Sequence, residues 1–399
     1  MTTVALTPAF EKKLVWLLAG IQFCHIMDFM VLMPLGPQLM RVLGITTAEF
    51  GWLVSTYTVS AGIAGIASVF MIDRFDRRHA LTGLFAGFIL ATVACGLAWD
   101  FHSLLLARSM AGVFGGVLTA VIMALLSDCI PEERRGAATG KVMTGFALAA
   151  VAGVPLGIYL ANHFDWRMPF FFISALSAPM LLLAPKLLPS VPARESGPVQ
   201  IVGTLRMVMW DRNHLFAFAL VSSLMLAGFS VIAYISPYMV QNVGLTEAQL
   251  PLIYLYGGIG TLLTAPLIGR LSDRIGKART FRIACLTSVP PLLVLTHLPA
   301  VPVPVVLVVT TLFMILIGGR VIAAISLLSS VSHAHVRGRF LSFNSAMQQL
   351  ASGIAAFLPT LVLTQDAQGR LMHYDWVGYG AVTMTLVAFW LAGRVEIRG

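Results

Sequence analysis

Residues 269–279 read GRLSDRIGKAR, and a shorter relative, DRFDRR, stands at 73–78. Both interrupt a chain that is otherwise strongly apolar. Their aspartates, Asp73 and Asp273, lie 200 positions apart. Charged clusters that return at a fixed spacing mark turns between apolar segments, and the fold is read outward from them.

Hydrophobic residues make up 58% of the 399 and Asp, Glu, Lys and Arg only 11%. That is under half the soluble norm of about 25%. A soluble chain so poor in charge cannot cover its surface, whereas a lipid-facing one need not. Twelve apolar runs approach the ~20 residues that a spanning helix needs. They lie near 14–40, 48–71, 80–99, 102–127, 140–162, 168–188, 214–241, 248–270, 281–298, 302–329, 339–363 and 375–394. They are too long for strands and do not alternate, and lipid admits only helices or closed barrels. The expected fold is an all-α membrane protein of twelve transmembrane helices in two pseudo-symmetric six-helix bundles.

The connections are short except at 189–213, which holds three prolines and several charges at mid-chain. This predicts an N-terminal bundle over 1–188, a cytoplasmic linker over 189–213 and a C-terminal bundle over 214–399. Within the linker, GTLRMVMW suits a short interfacial helix. The charged turns after the fourth run of each half, Arg134-Arg135-Gly136 and Arg337-Gly338-Arg339, strengthen the case for an internal duplication.

The net charge is +9. Placed on the loops, the basic residues divide very unevenly. Only Arg41, Arg167 and Arg370 fall on one side, and Arg108 and Arg320 fall inside the membrane. The positive-inside rule makes the basic side cytoplasmic and carries both termini there. Orientation therefore accounts for the charge without nucleic acid as a partner. The four cysteines are scattered without metal spacing and read as small buried residues. Glu11, Lys12 and Lys13 lead straight into a long apolar run, so no cleavable leader is expected.

Positive-inside does not explain Asp73 or Asp273. Gly269, Asp273, Arg274, Gly276 and Arg279 match G-x-x-x-D-R-x-G-x-x-R, and here the chain resembles the major facilitator superfamily. The first copy keeps Asp73, Arg74, Arg77 and Arg78 but has Val69 and Asp76 at the glycine positions. The resemblance implies a conformational latch built on these residues, in which the aspartate caps a neighbouring helix and pairs with cations across the seam between halves to hold the outward-open state. Arg108, Gly112 and Gly115 are similar to the R-x-x-x-G-x-x-G pattern of the twelve-helix drug:proton antiporters. Gly145, Gly153, Pro155 and Gly157 resemble the hinge motif of helix 5, in the variant of sugar and metabolite efflux permeases, with Val154 between the second Gly and Pro. Small residues on runs 2, 5, 8 and 11 suit either the sliding seam of such a transporter or ordinary tight packing.

A charge at membrane depth costs at least about 2.5–3.5 kcal/mol. Asp28 lies mid-way along the first run, and Arg108 sits at a matching depth in the fourth, to within about one turn, or ~5 Å. In the family both helices line the central cavity. The two residues form either a proton-coupling pair or a static ion pair. His25, three residues before Asp28, shares its helical face and serves either as a proton relay or as a satisfied core histidine. Arg320 has no evident acidic partner on its own half; it either binds an anionic group of a substrate, snorkels to the interface or pairs across the bundle. Tyr234, Tyr238, Asn344 and Gln348, with Asp28 and Arg320, are the candidate substrate cavity; helix–helix hydrogen bonds are the plainer role for the polar ones. Asp128, Glu132, Glu133, Arg134 and Arg135 form a charged cluster that either joins the latch or is a solvated turn.

The expected function is a secondary active transporter in the plasma membrane, the inner membrane if bacterial. It exports a small organic molecule, a drug or metabolite, by proton antiport and alternating access. The alternative is an importer or uncoupled facilitator of the same fold. Its partners are then a small-molecule substrate, protons and the lipid bilayer, with the protein expected to act as a monomer. No HExxH, GxSxG or Walker loop is present, so an enzyme is not expected, nor is any cofactor or metal.

Overall fold

The computed structural model describes residues 7–71, 75–190, 210–332 and 337–398. Among these, ten helices are long and apolar enough to cross a membrane. Two more, α14 (Arg337–Phe357) and α15 (Tyr374–Ala392), reach 21 and 19 residues. A two-residue antiparallel ladder, β1 (Thr364–Gln365) with β2 (Leu371–Met372), sits in the loop between them.

The first apolar run is not one helix. α1 (Pro8–Val31) ends, and a short α2 (Gly36–Leu43) follows. Pro34 and Pro37 explain the break, since each lacks the N–H that would continue the ladder. The seventh run breaks likewise. α9 (Arg212–Ile232) gives way to α10 (Ile235–Tyr238) and a π turn at Met239–Val243, because Pro237 cannot donate to the carbonyl of Ala233. In the fifth run, α6 (Glu132–Leu148) and α7 (Val154–His163) are joined by a π turn at Ala149–Gly153, which ends two residues before Pro155. The remaining spans are α3 (Thr47–Met71), α4 (Arg77–Gly96), α5 (Phe101–Cys129), α8 (Met168–Leu187), α11 (Leu250–Ile275), α12 (Lys277–Thr296) and α13 (Val303–Leu328).

Packing gathers the chain into two compact units, Met1–Leu32 with Thr56–Val199, and Met33–Ser55 with Gln200–Gly399. In the first, α1 packs on α6 and α8, and α4 packs on α5 and α8. In the second, α9 packs on α14 and α15, and α12 packs on α13 and α15. The same four pairings recur. Residues 33–55 group with the second unit because Phe50 packs edge-on against Tyr234, Trp52 packs at a tilt against Phe357, and Arg41 pairs with Glu247.

The duplication reaches single residues. Gly44 and Gly244 both adopt positive φ, +65° and +89°, a conformation glycine enters without a Cβ penalty. Thr46 and Glu49 then form a capping box, the Thr46 amide donating to Glu49 at 2.8 Å and the Glu49 amide to Thr46 at 3.2 Å. Thr246 and Gln249 repeat it 200 residues later.

The turn after the second run shows why its two copies differ. Asp76 is the N-cap of α4, with φ −57°, accepting from the amides of Arg78 and His79. Gly276 is the N-cap of α12, with φ +93° and ψ 145°. The first turn has no need of glycine, and an aspartate there gains a cap. All four cysteines are free and buried.

Candidate functional site

The first unit holds a buried polar column along α1 and α5. Gln22, His25 and Asp28 follow one another at i+3 spacing, which keeps them near one face over about 9 Å. At the top, Asp28 Oδ2 accepts from Arg108 Nη1 at 2.9 Å, with side-chain exposures of 0% and 1%. Below, His25 Nδ1 meets the Tyr57 hydroxyl at 3.1 Å. At the bottom, the Thr119 hydroxyl donates to Gln22 Oε1 at 3.2 Å. Gln22, His25 and Tyr57 are all buried.

Tyr57, which the sequence reading missed, ties the column together. Arg108 lies over its ring, 4.4 Å from the centroid, an attractive contact between a cation and the negative ring face. Its position depends on three glycines of α5. A Cβ at Gly112 would collide with the Tyr57 carbonyl, and one at Gly116 with the backbone of Ala61. A Cβ at Gly115 would stand 2.6 Å from the Tyr57 hydroxyl and 2.9 Å from His25 Nδ1. The glycines that follow Arg108 thus let α3 approach α5 until Tyr57 reaches both the arginine and the histidine. Their spacing after Arg108 was the available signal.

The pair is not saturated. Asp28 Oδ1 and Arg108 Nε have no hydrogen-bond partner among the described residues. Thr92 adjoins the carboxylate, but its hydroxyl donates to the Phe88 carbonyl at 2.9 Å. A buried carboxylate oxygen without a donor has room for a proton, and a buried N–H without an acceptor has room for a ligand atom.

The other candidates fall elsewhere. Gly145, Gly153 and Gly157 face α1, where a Cβ would meet the Ala19 carbonyl at 2.7 Å, Met27 at 3.1 Å and Val31 at 2.5 Å. Their small size is accounted for by close packing within the unit. In the second unit Arg320 is fully buried. Its Nη1 donates to Thr385 at 2.7 Å, while Nε and Nη2 have no acceptor among the described residues. The Tyr234 and Tyr238 hydroxyls donate to the carbonyls of Ala356 and Leu298. Asn344 is buried, with no donor to its Oδ1 among the described residues, and the Gln348 carbonyl accepts from Ser352.

Of the latch residues, Asp73 and Arg74 lie outside the described residues. Arg77 is buried and pairs with Asp128 at 3.4 Å. In the second copy Lys277 reaches Ser330, just beyond α13. Asp273, Arg274 and Arg279 are exposed, and no side chain approaches Gly269. Among the described residues no His, Cys, Asp and Glu group could hold a metal.

A bundle of spanning helices with repeated halves and a charge pair buried within one of them is the architecture of a membrane transporter. The family model described as Major Facilitator Superfamily matches residues 18–356 and again 218–396, and the chain belongs to that superfamily. It is thus a multi-pass membrane transporter of the major facilitator fold, not an enzyme. It is 27% identical over 274 residues to the uncharacterized MFS-type transporter YceJ of Bacillus subtilis (strain 168), covering 67% of this chain and 68% of that one. It is also 27% identical over 222 residues to a probable sugar efflux transporter of Mannheimia succiniciproducens, covering 55% of each. The fold is shared with the peptide transporter POT, at a TM-score of 0.77 and 14% identity over 96% of both chains. It is shared too with the xylose transporter XylE from E. coli, at 0.74 and 15% over 94% and 95%.

Proposed function

We propose that the protein exports a small organic molecule by proton antiport and that Asp28 and Arg108 carry the coupling. The supporting observation is the buried 2.9 Å ion pair with one carboxylate oxygen unengaged. A proton arriving on Oδ1 neutralises Asp28 and removes the charge that holds Arg108. A substrate held at the ionised pair through a donor on Oδ1 loses that acceptor when the proton arrives and is released, and loss of the proton restores the ionised site. Proton and substrate thereby compete for one carboxylate oxygen. Below the pair, Tyr57, His25 and Gln22 offer a line of polar groups for the proton. Arg320, Tyr234, Tyr238, Asn344 and Gln348 are proposed as substrate contacts on the second unit, and the charged loops and Pro155 as the moving parts. Both termini are proposed to lie in the cytoplasm.

The test is transport by proteoliposomes under an imposed pH gradient, with cationic, neutral and anionic amphiphiles. Asp28→Asn is expected to abolish gradient-driven transport per folded molecule while sparing substrate exchange without a gradient. Unchanged gradient-driven transport in that variant removes Asp28 from the mechanism. Movement of substrate down its own gradient with no proton flux in the wild type replaces antiport by facilitation.

A further inference from the structure

The second unit carries a groove of about 490 Å³ between the N-terminal half of α12 and the C-terminal end of α15. Arg279, Arg282, Ile283, Leu286, Phe389 and Gly393 line it. Residues three and four apart share a helical face, so α12 offers two arginines first and two aliphatic side chains beyond them. Ile283 and Leu286 are 41% and 50% exposed. Arg282 lies over the Phe389 ring, 4.2 Å from its centroid, and beside the Cα of Gly393, where even a methyl group would stand 4.0 Å from Nη1. Among the described residues neither arginine has a carboxylate partner, and none of the groove's lining side chains is acidic.

We propose that this groove is a binding site for an anionic phospholipid. Arg279 and Arg282 take the phosphate, and Ile283, Leu286 and Phe389 take the start of an acyl chain. The occupant follows from charge and shape together. Two guanidinium groups with no carboxylate partner among the described residues, at the mouth of an apolar groove, complement an amphiphile with an anionic head. Arginines that merely snorkel would need only a convex helix surface, not a concavity floored by an aromatic ring and a glycine. The site is independent of the coupling pair, which lies in the other unit.

The experiment is native mass spectrometry of the detergent-purified protein after exchange into equal phosphatidylglycerol and phosphatidylcholine. Retained lipid is expected to be mainly phosphatidylglycerol. Arg282→Gln should lower its retention about fivefold, the factor that corresponds to about 1 kcal/mol per surface arginine. Arg282→Lys should keep most of it. Equal retention of the two lipids, or no loss in Arg282→Gln, overturns the proposal. Displacement of phosphatidylglycerol by millimolar glycerol 3-phosphate also overturns it, by making the groove a site for free phosphate esters.

Discussion

The carboxylate of Asp28 and the guanidinium of Arg108 meet at 2.9 Å, each almost wholly buried. They come from α1 and α5, 80 residues apart, and each leaves one polar atom unengaged. Two opposite charges placed this way are mutually dependent, because neither has water to fall back on.

That dependence gives a thermodynamic cycle. Breaking a buried pair by removing one partner typically costs about 3–5 kcal/mol, because the other charge is left uncompensated. Asp28→Asn and Arg108→Gln should each lower thermal stability in detergent by an amount of that order. The double variant should lose clearly less than their sum, with a coupling of about 2 kcal/mol. Strict additivity in fluorescence-monitored melting would show that the two charges do not interact.

The glycines of α5 predict a graded series. Gly112→Ala and Gly116→Ala drive a methyl group into the backbone of α3, which cannot move alone, and should cost about 1–3 kcal/mol. Gly115→Ala meets instead the tip of Tyr57 and the ring of His25; it should cost less stability but disturb coupling. Gly83→Ala and Gly140→Ala, with nothing within 4 Å, should be neutral or stabilising by up to about 1 kcal/mol. Melting temperatures across the five variants check the order.

The two N-caps predict an asymmetric exchange. Asp76→Gly keeps an allowed cap geometry and should cost only a few tenths of a kcal/mol, whereas Asp76→Ala should cost about 1 kcal/mol. Gly276→Asp must enter a backbone region that is almost closed to other residues and should cost about 1–3 kcal/mol.

The same cap should also respond to pH. Partial burial pushes the Asp76 carboxyl up, but the Ser190 hydroxyl and the amides of His79 and Arg78 outweigh it and hold the carboxyl below its usual range. A depressed folded-state value means that the stabilisation is complete above the ordinary carboxylate range, near 3.9. It is lost as pH falls through the folded value. The stability gap between wild type and Asp76→Ala should therefore close as pH falls through the folded value. A gap that persisted well below the ordinary carboxylate range would contradict the cap's ionisation.

Much of this protein was written locally. Hydropathy and charge placed the spans, the charged turns marked the repeat, and the cost of burying a charge singled out Asp28, Arg108 and Arg320. Even the matched depth of Asp28 and Arg108 came from counting residues along two helices, because rise per residue is fixed by the backbone. The repeated G-[IL]-T-x-A-[EQ] stretch at 44–49 and 244–249 was equally available, as a capping box at constant spacing.

Tertiary structure alone decided the rest. A hydropathy run measures transfer from water and is blind to which neighbour covers a face. It could not tell that Gly145, Gly153 and Gly157 look toward α1, that Gly112 and Gly116 admit α3, or that Tyr57 bridges Arg108 and His25. Nor could it tell that one turn needs φ +93° where its twin does not. Those outcomes depend on how two distant helices meet, and the contact distances that select glycine over alanine exist only once they have met.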